Sequence, residues 1–321
     1  MLTVNNIIRS VYRASPTSDI DRFNILSIGP NNEKYLSLIA QTQHKFYILP
    51  ENPWNEMIEH KPSNVQDIRL LLDELDFIIC YNRAEQYEQA QYWSKQLHIP
   101  IILVDMCSAE LIRPQHLLEG ITVKNRDMLN KQPALTVSCN EYIQESWHDN
   151  RSIVIPIGID TNKFQPTNTD NEIYVAIDNN TAQQVGTVIA SHIGNNYQVI
   201  PTDHNNLNDI SLNKAKYFIN TNKSITVKTL EAMAAGTIVI SLRTPDSEKY
   251  IDNYKTGVLI DHIENIILVL DTFEGPDREL ANEISINARQ KIVEEHSMEN
   301  FLSKWNQAFN IVRSTFYVPE I

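Results

Sequence analysis

The chain has 321 residues, 42% hydrophobic, 21% charged and 8% aromatic, which excludes a disordered chain and allows one large α/β domain or two of ordinary size. Its 27 basic and 40 acidic side chains leave a formal net charge of −13, which gives no support to non-specific binding of nucleic acid. No apolar run reaches the length of about eighteen residues that a membrane span needs, and MLTVNNIIRS lacks the apolar core of a secretory signal, so a cytoplasmic location is expected.

In chain order, Phe23–Gly29 reads as a buried strand and Glu33–Gln43 as the helix after it. KFYILP is a second strand, VQDIRLLLDEL a helix, DFIICY a third strand, AEQYEQAQYWSKQLHI a helix and PIILVDM a fourth strand. PALTVSCN and SIVIPIG complete this half. Apolar runs without strict alternation, separated by helical periods, indicate a parallel sheet covered on both faces. After the polar linker QPTNTDN the alternation restarts: EIYVAID, a helix over 181–193, YQVIPT, AKYFINT, a helix to Ala235, TIVISL and GVLID. From Ile263 the chain reads as mostly helical and closes on MENFLSKWNQAFNIV. The fold class is therefore α/β, with two Rossmann-like doubly wound domains: 1–165, 166–300, and a C-terminal helix over 301–321.

Ligands of open α/β sheets bind beyond the C-terminal strand ends, so those positions are the candidates. Gly29 follows the first strand, where a glycine lets backbone approach a ligand, but GPNN lacks the G-x-G-x-x-G fingerprint and an ordinary tight turn fits as well. In NTNKSITVKTLEAMAAGTIVI a strand ends near Asn220 and a helix begins near Val227. Amides of that helix start, with the dipole behind them, can hold a diphosphate; Lys223 and Lys228 add charge, and Glu231 can accept from a ribose diol. A plain capped helix explains the same residues. Asp105, at the end of IILVD, is a candidate general base, against the plainer role of capping the next helix. Arg83 and Arg243, both at strand ends, are candidate phosphate contacts or simple surface arginines. Cys80, Cys107 and Cys139 read as buried reduced thiols, and neither metal-ligand spacing nor a serine elbow is present.

VSCNEYIQESWHDNRSIVIPIGIDTNKFQP resembles the domain junction of the retaining glycosyltransferases of family four, whose I-P-x-G-x-D-x-x-x-F signature is matched by Ile155, Pro156, Gly158, Asp160 and Phe164. LEAMAAGTIVI followed by SEKYIDNYKTGVLID resembles the donor-binding segment of that family, in the right order. The resemblance implies a GT-B fold: two Rossmann-like domains facing across a cleft, with the final helix crossing back to the first. It implies a nucleoside-diphosphate sugar as donor substrate, no metal or other cofactor, and retention of configuration; Asp105 acting as a base would instead allow inversion. It places Glu231 on the donor ribose, Ser224, Ile225, Thr226 and Val227 against the diphosphate and sugar, and Gly29 near the donor.

Departures from the pattern accompany the match. Lys223 stands where the family has a second glutamate, Ser224-Ile225-Thr226-Val227 replaces G-F-G-L, IDNNTAQQ lacks the usual arginine and lysine, and Met106 replaces a histidine. Either Lys223, Lys228 and Arg243 hold the donor, or its binding has weakened. Three functions follow as expectations: a transferase acting on a glycan or other hydroxyl acceptor; a compact viral-type enzyme glycosylating hydroxymethylated pyrimidines in DNA, which the net charge disfavours; and a non-catalytic binding module on the same scaffold.

Overall fold

The structure is a computed structural model that describes residues 22–29, 33–56, 59–81, 83, 85–112, 133–148, 152–166, 173–178, 185, 197–202 and 209–316. The chain divides into two compact units: Met1–Asn55, Lys61–Ile155 and Leu302–Ile321 in one, Glu56–His60 and Pro156–Phe301 in the other.

The first unit holds β1 (Asn24–Ile28), α1 (Glu33–Ala40), β2 (Lys45–Ile48), β3 (Val65–Asp67), β4 (Phe77–Tyr81), α2 (Glu85–Leu97), β5 (Ile101–Asp105), α3 (Ala109–Ile112), β6 (Leu135–Ser138), α4 (Glu141–Ser146) and β7 (Ile153–Val154). Its seven strands are all parallel, in the order β3-β2-β1-β4-β5-β6-β7. FIICY of β4 and IILVD of β5 are buried at every position, as an interior strand of a two-faced parallel sheet requires. The order reverses at β1, so the crevice beyond the C-terminal ends of β1 and β4 is this sheet's topological switch point.

VQDIRLLLDEL departs from the expected helix. Val65–Asp67 instead pairs with β2 as an edge strand, and Ile68–Leu70 forms one 3-10 turn capped by the Asp67 side chain on Arg69 N–H at 2.9 Å. An open edge on β2 offers Val65–Asp67 backbone partners that outweigh the local helical period, and Leu72, placed on the expected apolar face, is 96% exposed. The expected helix over 181–193 lies outside the described residues except Val185, which is helical and buried.

The second unit holds β8 (Ile173–Asp178), β9 (Tyr197–Thr202), α5 (Asp209–Lys214), β10 (Tyr217–Asn220), α6 (Val227–Ala234), β11 (Ile238–Leu242), α7 (Ser247–Tyr250), β12 (Val258–Ile260), α8 (Asn265–Glu274) and α9 (Arg278–Glu295). Five parallel strands run β12-β11-β10-β8-β9, with the switch point between β8 and β10. Val175, Tyr217, Ile219 and Ile240 from the sheet form one core with Ile266, Leu270, Phe273 and Ile284 from α8 and α9.

The Ile155–Phe164 signature has structural duties. Asp160 Oδ1 accepts from Asn162 N–H at 3.0 Å, closing the turn, and Phe164 is buried. A Cβ added at Gly158 would stand 2.6 Å from the Cβ of Phe301. His296 Nδ1 lies 2.8 Å from the carbonyl of Ile157, and Arg289 donates to the carbonyls of Phe164, Thr161 and Ala234. The segment is thereby tied to the C-terminal end of α6.

The last helix, α10 (Met298–Phe316), runs beyond Phe301, and its later residues belong to the first unit. There Trp305 and Phe309 are fully buried: Phe309 stacks on Phe77 at 6.0 Å and meets His44 edge-on at 4.9 Å, while Trp305 meets Tyr35 at 6.5 Å.

Candidate functional site

At the switch point of the first sheet, Gly29 adopts φ +138°, a backbone state that side chains rarely permit, so the glycine is required by the turn itself. Beneath it the Ser27 and Tyr81 hydroxyls lie 3.2 Å apart and join β1 to β4. Burial pushes the Tyr81 phenol and the Cys80 thiol well up, so both stay protonated and neither is a nucleophile at neutral pH. Cys139 is buried too, while Cys107 is half-buried.

Arg83 and Asp105, considered separately in the sequence, form one ion pair. The Arg83 guanidinium donates through Nε at 3.2 Å to Oδ1 and 3.0 Å to Oδ2, and through Nη2 at 2.8 Å to Oδ2. The Asp105 side chain is 0% exposed and that of Arg83 11%. The guanidinium also lies 4.8 Å over the ring of Trp147, whose Nε1–H is fixed by the Cys107 carbonyl at 2.9 Å. Both carboxylate oxygens of Asp105 are thus turned to Arg83, the geometry of an orienting pair.

In the second unit the predicted loop leaves β10 at its switch-point end. Buried Asn220 donates to Ser241 Oγ at 3.1 Å, and its Oδ1 accepts from Asn222 N–H at 3.2 Å, which turns the chain. Asp246 Oδ2 accepts from Ile225 N–H at 2.7 Å and holds the loop against the end of β11. Thr226 caps α6: its hydroxyl accepts from Thr229 N–H at 3.3 Å, while Thr229 Oγ1 accepts from Thr226 N–H at 3.4 Å. Ser224, Ile225, Thr226, Val227 and Lys228 are half-buried and Lys223 is exposed. Glu231 lies one turn into the helix and is 5% exposed. The helix ends at Gly236, φ +75°, where Gly236 N–H reaches Met233 O and Thr237 N–H reaches Ala232 O, so the expected glycine cap is a Schellman motif.

Arg243 is committed elsewhere. Its Nε donates to Asp261 at 2.9 Å and its Nη1 to Glu248 at 3.1 Å, and these two carboxylates raise its pKa. Its side chain is part of a surface network with two acids, a poor setting for an anion. Three contributors were missed in the sequence: Asp246, Asn220 and Trp147. Asp246 carried a signal, since an aspartate before SEKY is a helix-start residue, but its reach to Ile225 spans 21 positions.

Comparison with known proteins bears on the second unit first. A family model described as glycosyl transferase-like matches residues 195–307, which include the loop, α6 and β11. A search of curated proteins finds no match. Among solved structures, HepE of Anabaena, determined with UDP-glucose, is 10% identical at TM-score 0.70, covering 90% of this chain and 100% of its own. Sucrose-phosphate synthase of Thermosynechococcus elongatus is 12% identical at TM-score 0.66, covering 92% and 100%. A glycosyltransferase of Rickettsia africae is 13% identical at TM-score 0.63, covering 91% and 99%. The fold, two parallel Rossmann-like sheets along one chain, is that of the GT-B glycosyltransferases.

Proposed function

We propose that this chain is a glycosyltransferase that moves a sugar from a nucleoside-diphosphate sugar to an acceptor hydroxyl, with the donor bound on the second unit. The observation that carries the proposal is the loop Asn220–Thr226, which delivers the capped N-terminus of α6 to the switch point of its sheet, inside the stretch that the glycosyl transferase-like model matches. The largest charge that develops in such a transfer is on the departing diphosphate. The α6 dipole and the ammonium groups of Lys223 and Lys228 supply the opposing field. Glu231 is the group for the ribose diol. No metal is invoked, because the lysines provide the positive charge. Gly29 and the Arg83–Asp105 pair belong to the switch point of the first sheet and are assigned to the acceptor side.

Retention of configuration is the outcome we favour. A carboxylate whose two oxygens both face Arg83 suits the orientation of that guanidinium better than the removal of an acceptor proton, so Asp105 lends little to inversion. A cytoplasmic site of action and a glycan or other hydroxyl acceptor complete the reading. A second reading, a binding module without turnover, is favoured by one specific observation: Asp246 already occupies the Ile225 N–H, and Arg243 is held by two acids.

The test is thermal stabilisation across a panel of nucleoside diphosphates and their sugars, beginning with UDP-glucose, repeated with Glu231→Gln, followed by donor turnover. A ligand at about one hundred times its Kd adds roughly 2.7 kcal/mol to stability. Stabilisation by one nucleotide that Glu231→Gln removes, with turnover, supports the transferase; stabilisation without turnover on any acceptor supports the module. No stabilisation by any nucleotide defeats both.

A further inference from the structure

At the opposite end of the first sheet, where the chain enters β1 and β2, Phe23 and the turn Gln41–His44 enclose a cavity of about 550 Å3 against α10. β1 is five residues long, so roughly 16 Å of strand separates this cavity from Gly29. The helix contributes Asn306, Asn310 and Arg313, whose i, i+4, i+7 spacing sets them on one face. Among the described residues no carboxylate lines the cavity, in a chain whose net charge is −13. Gln43 and His44 face the helix from the turn, and the Arg313 guanidinium rests 5.7 Å over the Phe23 ring.

His44 adds a buried donor. Its Nδ1 accepts from Phe23 N–H at 3.3 Å, which leaves the proton of the neutral ring on Nε2. Burial lowers its pKa to about 4 against a smaller upward pull from Asn306. Nε2 is buried and closes no hydrogen bond of good geometry among the described residues. A permanent cation, a buried N–H and side-chain amides that both give and accept are the complement of an acid group beside hydroxyls.

We propose that this cavity binds a small sugar acid, a sugar phosphate or a uronate, at a site separate from that of the donor. The acid group sits on Arg313 and Asn310, and the hydroxyls are read by the amides of Gln43 and Asn306 and by His44 Nε2–H. The site does not depend on the transferase reading, so failure of UDP-glucose to bind leaves it standing.

Isothermal titration of the full chain with glucose 6-phosphate, glucuronate, glucose and inorganic phosphate tests it. The expected result is binding of one acid sugar, the phosphate ester or the carboxylate identifying itself by which one binds, weakened at least tenfold by Arg313→Gln. Asn310→Leu, at an exposed helix position, gives the same loss should Arg313→Gln fail to fold, and neither variant alters UDP-glucose binding. Binding of neither acid sugar, equal binding of glucose or of inorganic phosphate, or wild-type affinity in the folded variants overturns the proposal.

Discussion

Removal of Asp105 is the most informative single perturbation. Its carboxylate is 0% exposed and meets a guanidinium that is 11% exposed, through contacts of 3.2, 3.0 and 2.8 Å. Asp105→Ala leaves Arg83 buried with its charge unanswered, and loss of one partner from such a pair costs about 3–5 kcal/mol. Arg83→Leu alone strands the carboxylate and costs a similar amount. The Asp105→Leu/Arg83→Leu double variant leaves no buried charge and is expected to recover roughly half of the larger single loss or more, because the partners are strongly coupled. Urea unfolding followed by tryptophan fluorescence is the assay, since Trp147 lies over Arg83 and reports on the first unit. A single-variant cost below about 1 kcal/mol, or a double-variant cost equal to the sum of the singles, refutes the argument. Asp105→Asn separates orientation from proton transfer: it keeps shape and one acceptor for Arg83. Abolished turnover with stability near that of the parent would return Asp105 to the role of base.

Other outcomes follow from the same geometry. Gly158→Ala drives a Cβ to 2.6 Å from Phe301 and lowers stability by about 1–3 kcal/mol, seen as a lower unfolding midpoint. Thr226→Ala removes the α6 cap at a cost of about 1 kcal/mol and weakens nucleotide binding, if the helix start is the donor site, in a titration with UDP-glucose. His44, with its pKa lowered from 6.5 to about 4, leaves the unfolded chain binding more protons between those values, so stability rises with pH from 4 to 6.5 and is flat above. The difference amounts to on the order of 3 kcal/mol, and a His44→Gln variant whose unfolding midpoint keeps the parent's full pH slope between 4 and 6.5 contradicts this.

The strands were legible because a parallel sheet covered on both faces needs continuous apolar runs, and FIICY and IILVD carry no other message. α6 was legible at both ends: Thr226 and Gly236 are cap residues whose chemistry is local. What escaped is what distant residues decide. β3 exists because β2 has an open edge, and nothing within VQDIRLLLDEL reports that edge. Arg83 and Asp105 are 22 positions apart and were each weighed alone, so their mutual neutralisation was invisible. Lys223 and Lys228 could be named as cations from the sequence, whereas the commitment of Arg243 to Asp261 and Glu248 depends on where β11 and β12 end.

The placement of Trp305 and Phe309 in the core of the first unit has a consequence for biosynthesis. The face that receives them, Phe23, Tyr35, His44 and Phe77, leaves the ribosome early, while its cover is made almost last. Nearly the whole second unit, Pro156–Phe301, is translated in between, which at about 5–20 residues per second leaves that aromatic face open for roughly 7–30 s. The nascent first unit is then a client for holding chaperones, and its folding is gated by completion of the chain. A ribosome stalled after Ile155 should display a protease-sensitive first half, and one stalled after the whole of α10 has cleared the exit tunnel a resistant one.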